Sequence, residues 1–232
     1  MEPEEVAKQL RKPEGENGIK VAKGMNQSNA FLYSLTLKNL PIKESDHVLE
    51  LGFGNGFFIK DVLSKSKNII YHGIDFSEDM FNEASIINKD FIDNNEVKLN
   101  LANISSIPYP NDYFDIIFTI NTLYFWDKPL DTLLEIKRVL KKDGIICISI
   151  RPKEFIEKLA FSKYGFNLYS VDDVINLYKD AKLDFFKYDQ KVEPKVEISY
   201  RSNDIQTESV CIPIMSTTLG ILMWIGNYNL EW

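Results

Sequence analysis

Glu50-Leu51-Gly52-Phe53-Gly54-Asn55-Gly56 sets three glycines at alternate positions directly after a short apolar run, with an acid just ahead of them. Such a turn lets the backbone reverse sharply and lets a ligand reach main-chain atoms that a Cβ would shield. Residues 57–63 resume with helical spacing, so the stretch reads as strand, glycine turn and helix, the opening of a nucleotide-binding α/β fold. A second apolar run, 69–74, ends in Asp75, about twenty residues beyond the turn, where an acid binds ribose hydroxyls in such folds. The spacing also excludes. A dinucleotide fingerprint requires glycine where Phe57 stands, and a P-loop requires Gly-Lys-Ser/Thr at the helix start, which is absent.

Residues able to move a proton are few. Of the two histidines, His47 begins the first strand at the sheet edge opposite the glycine turn, and His72 lies inside the second strand; both read as structural. Tyr124 and Asp127 are the candidates for a catalytic base, and catalysis by positioning alone is the better fit to this composition. Tyr124, Phe125 and Trp126 follow the fourth strand, and Tyr164 and Tyr169 lie in an aromatic loop after the fifth. Aromatic rings favour a nearby cation and shape an apolar slot. Cys147 and Cys211 form neither a disulfide framework nor a metal-ligand cluster, so no metal is expected.

The motif at 50–56 resembles the first motif of the class I S-adenosylmethionine-dependent methyltransferases, acid-x-Gly-x-Gly-x-Gly. There it cradles the methionine part of the cofactor, and no phosphate has to be neutralised. The resemblance covers roughly residues 9–214 and implies S-adenosyl-L-methionine as cofactor. It implies a Rossmann-like, seven-stranded, mostly parallel sheet of order 3-2-1-4-5-7-6, with helices on both faces. The cofactor-binding residues it implies are Glu50, Gly52, Phe53, Gly54, Gly56, Asp75, Phe76, Met80, Asn103, Ile104 and Asn121. Phe76 and Met80 would lie against the adenine. An acid usually stands at the position of Asn103, whose amide oxygen can still accept from the adenine amino group. Residues 9–15, with Met25, Asn26 and Asn29, resemble the N-terminal extension of a bacterial small-molecule subgroup. Such a leader folds over the cofactor and shares the substrate pocket, which implies Asn26, Asn29, Tyr124, Trp126, Tyr164 and Tyr169 as the substrate wall.

The elements that must hold these residues follow from periodicity and caps. Residues 1–45 read as a helical leader or lid: a turn or two over 4–10, a second helix over 19–26, and a third over 29–39 capped by Ser28. Residues 46–214 form the cofactor-binding domain, with strands at 97–101, 114–120 and 145–150. Ser77 caps a helix running to about residue 93. The helix 130–140 turns Leu130, Leu133, Leu134 and Leu140 inward, and Gly144 stops it. Residues 151–182 are a substrate-side insertion, in which Ser170 and Asp173 form a capping box. Two further strands, 183–192 and 208–214, close the sheet edge as antiparallel partners. Alternating strands and helices with short links imply right-handed parallel units.

The totals bound the function. The 232 residues, 44% hydrophobic, suffice for one large domain. A net charge of −7 without a basic run offers no footprint for a phosphate backbone, so no nucleic-acid partner is expected. Nucleobase and protein-amide methyltransferases often carry Asn/Asp-Pro-Pro-Tyr/Phe after the fourth strand, whereas Asn121-Thr122-Leu123-Tyr124 has no proline. Both points favour a small-molecule acceptor, methylated by in-line displacement. The alternatives are a methyltransferase acting on a macromolecule and a protein that binds S-adenosylmethionine without turnover. A nicotinamide oxidoreductase is opposed by Phe57. The N-terminus lacks the pattern of a signal peptide, so a cytoplasmic location is expected. The apolar tail, 215–232, is too short to span a bilayer and is a candidate surface for a homodimer.

Overall fold

The computed structural model describes residues 1–185, 187–192 and 208–215. Its centre is a twisted sheet in which β1 (His47–Leu51) lies between β2 (Ile70–Asp75) and β4 (Phe114–Ile120), all parallel. β3 (Val97–Leu101) pairs with β2, and β5 (Leu140–Ile150) with β4, again parallel. β8 (Glu208–Met215) runs antiparallel to β5, and β6 (Asp184–Phe185) and β7 (Asp189–Val192) both pair with β8. The order β3-β2-β1-β4-β5-β8-β6 is that of a Rossmann-like methyltransferase fold. One detail differs from expectation. The stretch 184–192 holds two short strands, so among the described residues the sheet has eight strands where seven are expected.

Both faces of the sheet are covered, which is why its strands are almost continuously apolar. Leu49, Leu51, Ile74 and Ile117 pack on α6 (Pro129–Val139) and α8 (Val171–Asp180) through Leu133, Ile136, Val174 and Tyr178. The alternate residues Val48, Tyr71, Ile116 and Phe118 pack on α2 (Gly15–Asn39) and α3 (Ile59–Leu63) through Leu32, Leu35 and Val62. Neighbouring residues thus serve opposite layers, as the period of a strand demands.

The leader departs from its expected form. After α1 (Pro3–Arg11) comes one unbroken helix of 25 residues, α2, in place of two weak ones. Ser28 is therefore not a cap. It is buried in mid-helix and donates its hydroxyl back to the Met25 carbonyl at 3.2 Å. Ser77 is a cap, accepting from Met80 N at 3.3 Å, but its helix splits into α4 (Glu78–Ile87) and α5 (Lys89–Asp93). The break is at Asn88, whose side chain reaches the carbonyls of Gly56 and Ala84. In α6 the inward stripe is Thr132, Leu133, Ile136 and Val139, whereas Leu130 and Leu134 are exposed. That helix ends at Val139, and Gly144 lies inside β5 rather than stopping it. The capping box at Ser170 and Asp173 is present. α7 (Lys153–Ile156) and a 3-10 turn, Ala160–Lys163, complete the insertion.

Among the described residues no helix is long and apolar enough to cross a membrane. The tail beyond Met215, expected to pack or to dimerise, lies outside the described residues.

Candidate active site

The carboxyl ends of β1, β2 and β4 meet at one edge, and α1 and the first half of α2 cross above it. Between them lies a cleft of about 560 Å³. Gly52, Phe53 and Gly54 form its floor, Asp75 and Phe76 one side, Asn103 and Ile104 another, and Asn121 and Trp126 the far wall. Leu10, Met25, Asn26, Asn29 and Tyr33 come from the leader. This is the crevice beyond the strand ends where open α/β sheets hold ligands.

The glycine turn is shaped as a cradle. Gly54 has φ of 57°, and a Cβ there would meet nothing within 4 Å, so the space before it is open cleft. At Gly56, φ of 70°, a Cβ would stand 2.8 Å from the Ala84 side chain, so α4 can approach only a glycine. Asp75 ends β2 and accepts from Gly54 N and Ser77 N, each at 2.9 Å. Burial pushes its carboxyl up to about 6, although these main-chain bonds favour its charged form. Each oxygen keeps a lone pair for a ligand hydroxyl. A main-chain cradle without a basic side chain, an acid for a ribose diol and an aromatic rim at Phe76 fit S-adenosylmethionine.

Other expected residues lie differently. Glu50 is buried beneath the turn, bonded to the Tyr33 hydroxyl and, at 2.6 Å, to the Tyr71 hydroxyl. Burial pushes its carboxyl up to about 7. Met80 is fully buried in α4, off the cleft wall. Asn103 lines the cleft, but its amide oxygen already accepts from Ser105 N at 2.9 Å. Asn121 follows β4 with φ of 57°, a conformation that asparagine tolerates better than most residues. Its Nδ2 donates to Asn29 Oδ1 at 3.0 Å, tying the fourth strand to the leader.

On the acceptor side, Trp126 lines the cleft and donates from Nε1 to Thr122 Oγ1 at 3.1 Å. The Tyr124 hydroxyl is engaged by the main chain of Arg151, donating to its carbonyl and accepting from its N–H. Those bonds suit a structural tie better than a base. The Asp127 side chain is 83% exposed at the rim and pairs with Arg11 at 3.0 Å. Tyr164 lines a separate outer groove with Glu4 and Arg11, and Tyr169 packs against the core. His47 and His72 bond each other at 3.1 Å, outside the cleft. Among the described residues no group of three or more His, Cys, Asp or Glu is placed to hold a metal.

Sequence reasoning missed Tyr33, Arg151 and Phe161. Tyr33 extends the apolar stripe that begins at Phe31 and Leu32, and only the fold shows that its hydroxyl reaches Glu50. Nothing local marks Arg151, which joins the site by crossing from the end of β5 to Ser28 and Asn29 of α2.

The sheet order, the glycine cradle and the acid after β2 together define a class I methyltransferase architecture. Residues 49–148 match the family described as "Methyltransferase domain". The chain is 31% identical over 130 residues to the uncharacterized methyltransferase YdaC of Bacillus subtilis, covering 56% of this chain and 70% of that protein. It is also 31% identical over 134 residues to a tRNA U34 carboxymethyltransferase of Campylobacter fetus, covering 55% of this chain but 46% of that one. In fold it resembles a SAM-dependent methyltransferase from Aquifex aeolicus, with a TM-score of 0.60 and 24% identity over 94% of this chain and all of that one (100%). The chain belongs to the class I S-adenosylmethionine-dependent methyltransferases.

Proposed function

We propose that this enzyme methylates a small-molecule acceptor, with the leader as a lid over the reaction. S-adenosylmethionine, when bound, supplies an electrophilic methyl on a sulfonium. Asp75 would hold its ribose hydroxyls, the main chain of Gly52–Gly54 would take its methionine part, and Phe76, Ile104 and Asn103 would take its adenine. The observation that carries the reading is the cover. α1 and α2 cross the cleft, fastened by Ser77 Oγ to Pro13 O at 2.6 Å and by Arg11 to Asp127. An acceptor must fit beneath them, which suits a small molecule. The net charge of −7 also speaks against a nucleic-acid substrate. With no base in reach among the described residues, the chain's contribution is positioning, desolvation and the exclusion of water. A cytoplasmic location accords with this role.

Incubation with methyl-labelled cofactor and a panel of small acceptors, beside tRNA and protein extracts, tests the reading. Label in a small molecule is expected. Label only in RNA or protein favours a macromolecular acceptor, and binding without transfer favours a carrier.

A further inference from the structure

Behind the main cleft lies a second cavity of about 70 Å³. Asn29, Asn121, Met25 and Phe125 line both, so it is a side chamber of the cleft. Its walls are largely apolar, with Phe155, Leu159, Phe161 and Phe166 contributed by the insertion. Phe166 meets Phe125 edge-on at 4.7 Å and Phe161 at 5.5 Å, which gives the chamber a fixed shape. A closed cavity of about 150 Å³ takes a benzene ring, so this smaller chamber, continuous with the main cleft, takes a branched-alkyl group or a phenyl ring that extends partly into the cleft.

The junction between the cavities is polar and rich in donors. Asn29 Oδ1 accepts from Asn121 Nδ2 at 3.0 Å and from Arg151 Nη1 at 3.2 Å. These two donors, with the Ser28 hydroxyl at 3.4 Å, fix the amide orientation and leave Nδ2 as the donor of a residue that lines both cavities. The Arg151 guanidinium, permanently cationic, lines the same chamber and is only 5% exposed. No histidine lines either cavity, Asp75 belongs to the cofactor side, and Asp127 and Asp131 stand at the rim with side chains 83% and 66% exposed.

Resting on the methyl-transfer reading, we propose that the acceptor is a small monocarboxylate with an aromatic or branched-alkyl body, methylated on a carboxylate oxygen. The chamber takes the body, and the Asn29–Arg151 junction holds and orients the carboxylate. The absence of a nearby base among the described residues is then no defect, because a carboxylate arrives deprotonated at neutral pH. Its oxygen forms the new O–C bond to the methyl group. The S–C bond breaks with its electron pair passing to sulfur, the sulfonium and carboxylate charges are both lost, and no proton is released. An alkyl amine would arrive protonated and, like an alcohol, would need a base.

The test uses the full chain saturated with S-adenosylhomocysteine, titrated calorimetrically with benzoate, phenylacetate and isovalerate against benzyl alcohol and benzylamine. The carboxylates are expected to bind about tenfold tighter or more, as a charge-assisted contact implies. With S-adenosylmethionine, mass spectrometry is expected to find the methyl ester. Phe161→Trp, which fills the chamber, and Asn29→Asp, which sets an acid at the junction, are each expected to weaken carboxylate binding about tenfold while cofactor affinity holds. Carboxylates binding no better than the amine or alcohol, a methyl found on nitrogen or on RNA, or two folded variants that bind carboxylate normally would each overturn the assignment. Failure of the wild-type chain to bind S-adenosylmethionine would overturn the methyl-transfer reading beneath it.

Discussion

Tyr33, on the leader helix α2, donates its hydroxyl to Glu50, the acid that opens the glycine turn, while Tyr71 from β2 donates to the other oxygen. Both phenols are buried, and Tyr33 also stacks on Phe58 at 3.8 Å. The leader is thus joined to the cofactor floor through one carboxyl. Because burial lifts Glu50 from the usual carboxylate range to about 7, ionising it costs the folded state more than the unfolded chain. Its contribution to stability is therefore full below the unfolded value near 4.5 and is lost as pH rises through about 7. The stability of the wild type relative to Glu50→Gln should shrink across that window, as read by denaturant melts at several pH values. A constant difference would show that Glu50 keeps one protonation state throughout.

Asp75 should make cofactor binding depend on pH in the opposite sense. Only the carboxylate accepts from two hydroxyls, and it forms as pH rises through about 6. Affinity for S-adenosylhomocysteine should therefore strengthen between pH 5 and 7, roughly following that ionisation. Asp75→Ala should weaken binding about tenfold or more, since hydrogen bonds to a charged group contribute about 1.5–3 kcal/mol. Calorimetry finding wild-type affinity in a folded Asp75→Ala protein would remove Asp75 from the ribose.

Gly54→Val should lose cofactor binding with the fold kept. The new side chain would project into open cleft, where it meets no protein atom within 4 Å. Its positive φ adds strain of about 1–2 kcal/mol, which a domain of this size withstands. Native circular dichroism with no calorimetric heat is the expected pair of results. Retained binding would make the turn a structural link only.

His72 supplies a stability signal away from the site. Burial, then the charges of His47 and Lys98, hold its imidazole down at about 3, and it bonds His47 and the Tyr109 hydroxyl. As pH falls below 6.5 the unfolded chain takes up a proton that the folded one refuses, so stability is lost between 6.5 and about 3. Wild type should lose more stability than His72→Gln over that acid range. Parallel acid titrations of the two proteins would remove the histidine pair as the cause.

What the sequence made legible was local. The glycine turn, Asp75, the Ser77 cap and the capping box at Ser170 and Asp173 are each set by spacings of a few residues, and each stands in the structure. A polar residue in an apolar helix misled the reading. Ser28 resembles a helix boundary, yet it stands in mid-helix with its hydroxyl satisfied there, whereas Asn26 and Asn29, expected on the substrate wall, do line the cleft. Leu130 and Leu134 were expected inside, but the face of α6 is fixed by Leu133, Ile136 and Val139, and the sheet beneath decides which stripe is covered. Asn88 and Arg151 carry no local signal, and the aromatic loop of the insertion marks a wall there without showing that Phe161 and Phe166, rather than Tyr164 and Tyr169, form it. Asn88 and Arg151 act across 32 and 122 residues of sequence.

The leader should prove divisible, with α1 serving the acceptor and α2 serving the fold. α2 buries Leu32, Tyr33, Leu35, Thr36 and Leu37, so a deletion reaching residue 28 would cut through a core helix. α1 buries only Ala7 and Gln9 and is held at its end by the Arg11–Asp127 pair and the Ser77–Pro13 bond. An exposed ion pair contributes about 0–1 kcal/mol, so removing residues 1–13 should leave a folded protein. Asp75, Gly54 and Phe76 all remain, and cofactor affinity should change less than about tenfold. Leu10 and Arg11, which line the cleft, would be gone, and the roof over the acceptor with them. Turnover should then fall by about tenfold or more through lost positioning and entry of water. The measurement is initial rate beside calorimetric cofactor affinity on the same truncated preparation. A truncated chain that is folded and turns over at the full rate would show that α1 is not a lid.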